Sequence, residues 1–233
     1  MAWELAATLA RSATYKLLAL AFLPPRPEGV LHLFSALPRI IQDLPEGHQQ
    51  GLGPIVEDLP SIRTEPGEGE YIRLFSVGLT ATPYESEYDP LVATRKGHRL
   101  ADLLGFYEAF GFRLADGLGE FPDHVAVELE FMSLLLLKAA HAAVESHGEG
   151  REISEQAAVT FLADHLGAWG EAFADRVEAA TESDAYRFAA RLLGAFLLAE
   201  CQLLGVEPVA LTAAPPGGTG PPTCPFVGQC AEG

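Results

Sequence analysis

Cysteine is scarce: there are three in 233 residues, Cys201, Cys224 and Cys230, and none before position 201. No disulfide framework can therefore organise the bulk of the chain, which suits a reducing compartment. Basic residues are also few, with 15 Lys and Arg against 32 acids and a formal charge of -17. A field of that sign repels phosphate backbones, so no nucleic-acid partner is expected, whereas a basic peptide would be attracted. The alternative is that the acidity serves solubility alone. No apolar run approaches the ~20 residues that span a bilayer, so stable membrane insertion is not expected. "KLLALAF" before two prolines looks like a short signal core. However, Glu4 precedes it, Arg11 and Lys16 lie well inside the chain, and the run extends only from Leu17 to Leu23. Leu5, Leu9, Ala13, Leu17 and Leu20 recur at helical spacing, which reads as the amphipathic first helix of a cytoplasmic protein.

The usual catalytic constellations are missing too. No glycine-rich phosphate loop ends in Gly-Lys-Ser or Gly-Lys-Thr, and no His-Glu-x-x-His occurs. A carboxylate-bridged di-iron bundle wants Glu-x-x-His pairs, and no glutamate here has a histidine three residues later. The chain reads as a non-enzyme.

What the sequence does contain is helix after helix. The first is expected from about Trp3 to Phe22, stopped by Pro24 and Pro25. Residues 27–60 read as two short helices with a turn near Pro45 and Gly47. After Pro66, Tyr71, Leu74, Phe75 and Gly78 share a face; later Leu100, Leu103, Leu104, Tyr107 and Phe110 do the same. Pro122, with Asp123 beside it, is expected to open the most apolar helix, ringed with apolar residues from Val125 to Leu137 and so central. Leu162, Leu166, Trp169, Phe173 and Val177 form one further stripe, and Tyr186, Ala190, Leu193, Leu197 and Leu204 another. No stretch alternates with period two. The expectation is an all-α, single-domain bundle over residues 1–206. A flexible or loosely packed tail over 207–233, rich in Pro and Gly, follows it.

Single residues leave choices open. His124 stands four positions before Glu128, within reach on one helix face, as an acid–base pair or as a structural tie. His165 near Trp169 reads as a core-edge residue or a metal ligand, and Cys201 as a small buried hydrophobe. Cys224 and Cys230 are weak metal candidates: five residues separate them, more than in zinc hairpins, and no second pair is evident. A metal- or redox-active protein using His124, Glu128 and the tail cysteines is thus one alternative; a helical scaffold for a folded partner is another. The basic patch "TRKGHR" offers Arg95, Lys96 and Arg99 either to a phosphate or to acids nearby.

Five segments in order resemble the TorD/DmsD/NarJ family of molybdoenzyme assembly chaperones. They are "RSATYKLLALAFLPP"; "EYIRLF" followed by "PYESEY"; "FYEAFGF" with "EFPDHVAVELEFMSLLL"; "FLADHLGAWGEAFADRV"; and "ARLLGAFLLAE". The resemblance covers about residues 8–204. It implies an all-helical, non-catalytic chaperone that binds the catalytic subunit of a molybdenum oxidoreductase, usually at its N-terminal, often twin-arginine, leader. The chaperone would hold that subunit until cofactor insertion is complete. No tightly bound cofactor is expected, and contact with the client's molybdenum cofactor would be transient. The family's leader-binding motif is commonly Glu-Pro-x-Asp-His. Glu120-Phe121-Pro122-Asp123-His124 keeps the acid, the aspartate and the histidine, with the proline one position late. Tyr84, Glu85, Ser86 and Tyr88 match the family's tyrosine stretch.

That stretch, "TPYESEYDP", is the one rigid, acidic, aromatic loop in the chain. Glu85, Glu87 and Asp89, with Asp123 across a groove, could receive arginines, and Tyr84 and Tyr88 could offer flat faces to them. Pro83 and Pro90 would limit the entropy lost on binding. On this reading Glu85→Gln with Asp123→Asn weakens client binding and leaves the melting temperature nearly unchanged. The competing reading turns the tyrosines inward to staple the loop to the core, with Ser86 capping a turn.

Overall fold

The computed structural model describes residues 4–25, 29–77, 80–114 and 121–211. Helix α1 (Leu5–Ala21) ends one residue before Phe22, as its prolines require. Three short helices follow rather than two: α2 (Val30–Phe34), α3 (Leu37–Asp43) and α4 (Glu46–Glu57). The break near position 45 lies where expected, but Gly47 falls inside α4, because Pro45 supplies the fixed φ that starts a helix. Glu65 reaches back to cap α2, accepting from the amides of Val30 at 2.6 Å and Leu31 at 2.9 Å. Helix α5 (Glu68–Tyr71) runs into a widened turn over Ile72–Ser76, which buries Leu74 and Phe75 beside Tyr71. Gly78 lies outside the described residues.

Helix α6 (Val92–Ala109) buries only Leu103 and Tyr107; Leu104 is exposed. Helix α7 (Val125–Val144) is the central one, with α1 along one side and α8 (Gly148–Phe161) along another. Its apolar ring is incomplete, since Leu137 faces solvent and Glu130 turns out to Lys16. A widened turn, Leu162–Leu166, joins α8 to α9 (Gly167–Ala180), and α10 (Asp184–Leu204) packs back on α9 and on α4. Gly167 is required at that turn: a Cβ there would lie 2.4 Å from the Leu162 carbonyl and 2.8 Å from Pro208. Gly205 closes α10 in the left-handed conformation, at φ 65. Residues 206–211 then return along the bundle, where the Leu211 amide donates to the Ala168 carbonyl at 2.7 Å. The described start of the expected tail is thus attached; the remainder, with Cys224 and Cys230, lies outside the described residues.

Both late stripes are buried as their spacing predicts, apart from a half-buried Leu204. Two aromatic groups fill the core. Phe22, Phe75, Phe173 and Tyr186 interlock at one end, with Phe22 and Phe173 centroids 5.1 Å apart. Tyr107, Phe112, Phe131 and Phe161 interlock at the other, and hold α6 against α7 and α8. A buried polar tie joins α1, α4 and α10. Arg11 donates to Glu200 with two arms, at 2.6 and 2.8 Å, while Tyr15 donates to the same carboxylate and His48 lies 2.8 Å from it. Among the described residues no helix is long and apolar enough to cross a membrane. No strand forms among them either.

Candidate peptide-binding site at the tyrosine loop

The one extended pairing among the described residues is an isolated antiparallel bridge between Tyr84 and His124. The Glu85 amide donates to the Asp123 carbonyl at 2.9 Å, and the Val125 amide donates to the Pro83 carbonyl at 2.8 Å. Residues 121–124 are thereby held as loop rather than helix. The expectation that Pro122 opens the helix is corrected: α7 starts at Val125, capped by His124, whose Nδ1 accepts from the Ala126 amide at 3.1 Å. Pro122 instead presents its carbonyl to the Tyr107 hydroxyl at 2.8 Å. The bridge places the two stretches singled out from sequence side by side, although about forty residues separate them.

The acids do not face outward. Glu85–Tyr88 form a tight single turn, and Glu85, Ser86, Tyr88 and Asp89 are all buried, as are Asp123 and His124. Arg99 takes the carboxylates that were expected to await a ligand: its Nη1 donates to Glu85 Oε1 at 2.6 Å, and its Nη2 to Asp89 Oδ2 at 3.2 Å. His165 Nδ1 lies 3.2 Å from Glu85 Oε2. Asp123 accepts from the Ser86 amide at 3.2 Å, so the aspartate, and not the Ser86 hydroxyl, braces the turn. Only Glu87 keeps part of its surface, paired to Lys96 at 3.0 Å. The basic patch therefore serves the acids of the loop. That choice was open in the sequence; the geometry decides it.

The tyrosines divide between the two readings. Tyr88 points inward, donating to the Thr82 carbonyl at 3.0 Å and packing on Trp169, and Arg176 lies 4.1 Å over its ring. Tyr84 is half-buried, edge-on to His124 and to Phe121, which is 59% exposed. Tyr84, Phe121 and half-buried Pro122 make the accessible aromatic edge of this region. Glu120 lies outside the described residues.

Beneath the loop, His124 and Glu128 do not pair. Glu128 is fully buried and accepts from Trp169 Nε1 at 3.0 Å. Burial, reinforced by the charge of Glu85, pushes its carboxyl well above the usual range, so the fold favours its protonated form. Burial lowers His124 to about 3, leaving a neutral imidazole that suits a cap acceptor. Among the described residues no three His, Cys, Asp or Glu are grouped to hold a metal. His165 is a buried core residue, as one reading had it, but its partners Glu85 and Asp102 could not be named from spacing. Cys201 is only half-buried, and burial raises its thiol to about 11. The part of Arg99 was one of two readings of the basic patch, whereas the sequence does not announce that His165 and Arg176 join this site; acids that need counter-charges in a fold of few cations were the available signal.

Outside the loop, Arg99 also lines an open groove of about 720 Å³ with Arg95, His98, Ala101, Asp102 and Asp164. The geometry thus combines an exposed aromatic edge, a buried carboxylate set behind it, and a lightly anchored helix that carries the counter-ion.

A helical bundle built around such a braced loop defines a class, and comparison with known proteins supplies the family. Residues 42–175, more than half of the chain, match the family described as nitrate reductase delta subunit, and the chain belongs to that family. This bears out the resemblance read from the five segments. The chain is 39% identical over 151 residues to the selenate reductase assembly chaperone protein of Thauera selenatis, a match covering 64% of this chain and 75% of that one. It is 38% identical over 123 residues to the chlorate reductase assembly chaperone protein of Ideonella dechloratans, covering 52% and 62%. With the chaperone protein TorD of Vibrio cholerae the identity is 32% over 120 residues, covering 51% and 52%. The chain thus spans between about half and three quarters of the relatives it matches.

Proposed function

We propose that this protein is an assembly chaperone, without chemistry of its own, for the catalytic subunit of a molybdenum oxidoreductase. The observation that carries the reading is its similarity to relatives named as assembly chaperones of a selenate and a chlorate reductase. The chaperone acts in the cytoplasm and binds the client's N-terminal leader, of the twin-arginine type, until cofactor insertion is finished. Tyr84, Phe121 and Pro122 supply the apolar contact, and the Glu85, Ser86, Tyr88, Asp123 and His124 set stands behind them as the acidic half of the site. An apolar helical leader with basic residues at one end fits such a combination of aromatic edge and carboxylates.

Affinity capture of the tagged protein from its own cytoplasm, at low and moderate salt, tests this. One molybdenum-type catalytic subunit, still carrying its leader and released as salt rises, is the expected result. Capture of the finished enzyme alone, with its leader removed, would replace this reading by a scaffold for a folded partner.

A further inference from the structure

The carboxylates best suited to an arginine ligand are already holding an arginine. Glu85 and Asp89 each accept one arm of Arg99, at 2.6 and 3.2 Å, and both acids are almost wholly buried. The fork is incompletely used, because Arg99 Nε has no hydrogen-bond partner. Ser86 Oγ, Asp123 Oδ1 and Glu128 Oε1, on the residues that brace the loop from behind, also lack hydrogen-bond partners, and each belongs to a residue at least 99% buried. His165 Nε2, also without a hydrogen bond, faces Asp102 at 3.4 Å, and Asp102 lines the open groove together with Arg99.

Both acids have anchors besides Arg99. The Glu85 backbone is held by its N–H donating to the Asp123 carbonyl and its carboxylate by His165 Nδ1 at 3.2 Å; the Asp89 carboxylate accepts from the Leu91 amide at 2.8 Å. Arg99 itself stands on the outer wall, its side chain 18% exposed. It rides on α6, whose only buried residues are Leu103 and Tyr107, both beyond it toward the C-terminus. Withdrawing Arg99 therefore needs only movement of a side chain or of the first turns of a lightly packed helix. It would open a preformed anionic pocket to the 720 Å³ groove.

We propose that Glu85 and Asp89 form a guanidinium-binding site, filled in the free protein by Arg99, and that an arginine of the client's leader takes its place when the client binds. Arg99 is thus an internal stand-in for the ligand. It keeps two buried carboxylates compensated while the site is empty of client, and an exchange of like for like leaves the number of buried ion pairs unchanged. The planar two-armed fork spans both acids, which a lysine ammonium does not, so the exchange selects arginine. This rests on the leader-binding reading above, and its test is arranged to fail separately.

The first arm uses Arg99→Ala and a small probe. Ethylguanidinium at about 10 mM should raise the melting temperature of the variant by several degrees and leave the unaltered protein unchanged; ethylammonium should leave both unchanged. The second arm uses calorimetry with a synthetic peptide bearing two adjacent arginines before an apolar stretch, and its double-lysine counterpart. Arg99→Ala should bind the arginine peptide at least tenfold more tightly than the unaltered protein, and adding Glu85→Gln and Asp89→Asn should abolish the gain. Should Arg99→Ala fail to fold, Arg99→Lys, which keeps the charge and reaches one acid at a time, should show both effects in smaller measure. Rescue by ethylammonium as good as by ethylguanidinium overturns the site. Selective rescue without tighter peptide binding overturns the exchange, and leaves the leader reading to the capture experiment.

Discussion

Arg11 and Glu200 stand 189 positions apart and meet as a fully buried, two-armed ion pair between the first helix and the last. Burial works against the charge of each, but the pairing outweighs it: Arg11 is raised above its ordinary value and Glu200 is lowered to about 2. Removing one partner strands a charge in the core. Arg11→Met should therefore cost about 3–5 kcal/mol, and Arg11→Met with Glu200→Met clearly less than either change alone. Urea denaturation of the three variants measures this; single-variant losses under about 1 kcal/mol would show that the pair is not a structural tie.

The same carboxylate makes stability depend on acid. Glu200 titrates near 4.5 when unfolded and about 2 when folded, so between those values the unfolded chain binds the extra proton. Its contribution is fully present above about pH 4.5 and is lost as pH falls toward 2. Glu70, lowered to about 2 by Arg73 and by the Thr181 hydroxyl and Glu182 amide despite partial burial, adds to the same slope. Thermal melts from pH 6 to pH 2.5 should show a steep decline. In Glu200→Gln the decline should be shallower; an unchanged slope would mean that other acids set it.

Glu128 works in the opposite direction. The fold favours its protonated form, because burial and then Glu85 raise its carboxyl, while the unfolded chain ionises it near 4.5. Stability is lost as pH rises above that value. Glu128→Gln removes this loss and keeps an oxygen for Trp169 Nε1, so it should raise the melting temperature at pH 7.5 more than at pH 4. Equal effects at the two pH values would show that Glu128 is ionised in place.

The loop variant changes its meaning once the structure is known. Glu85 and Asp123 are buried and braced, so Glu85→Gln with Asp123→Asn should lower stability by about 2–4 kcal/mol, not leave it untouched. Client affinity should be compared with that of Phe121→Ala, whose side chain is exposed and whose folding cost should stay within about 0.5 kcal/mol. Lower affinity in Phe121→Ala with an unchanged melting temperature would place the aromatic edge in the interface; unchanged affinity would remove it.

Much of this protein is legible along the chain because helices are local. The stripes Leu162 to Val177 and Tyr186 to Leu197 follow from spacing alone, since three or four residues return a side chain to the same face. The five segments that carry the family resemblance are likewise contiguous words, and the family is the one found. Where a helix starts is less local. Val125, capped by His124, and not Pro122, begins α7, because the Val125 amide and the Asp123 carbonyl are engaged by residues 83 and 85. Only the tertiary structure decided which way the acids of the tyrosine loop point. A run of tyrosine, glutamate and proline is compatible with either face. What turned Glu85 inward is Arg99 fourteen positions on and His165 eighty positions on, and what braced Ser86 is Asp123 thirty-seven positions on. Burying a carboxylate depends on having its counter-charge delivered, and in this chain that charge comes from other helices.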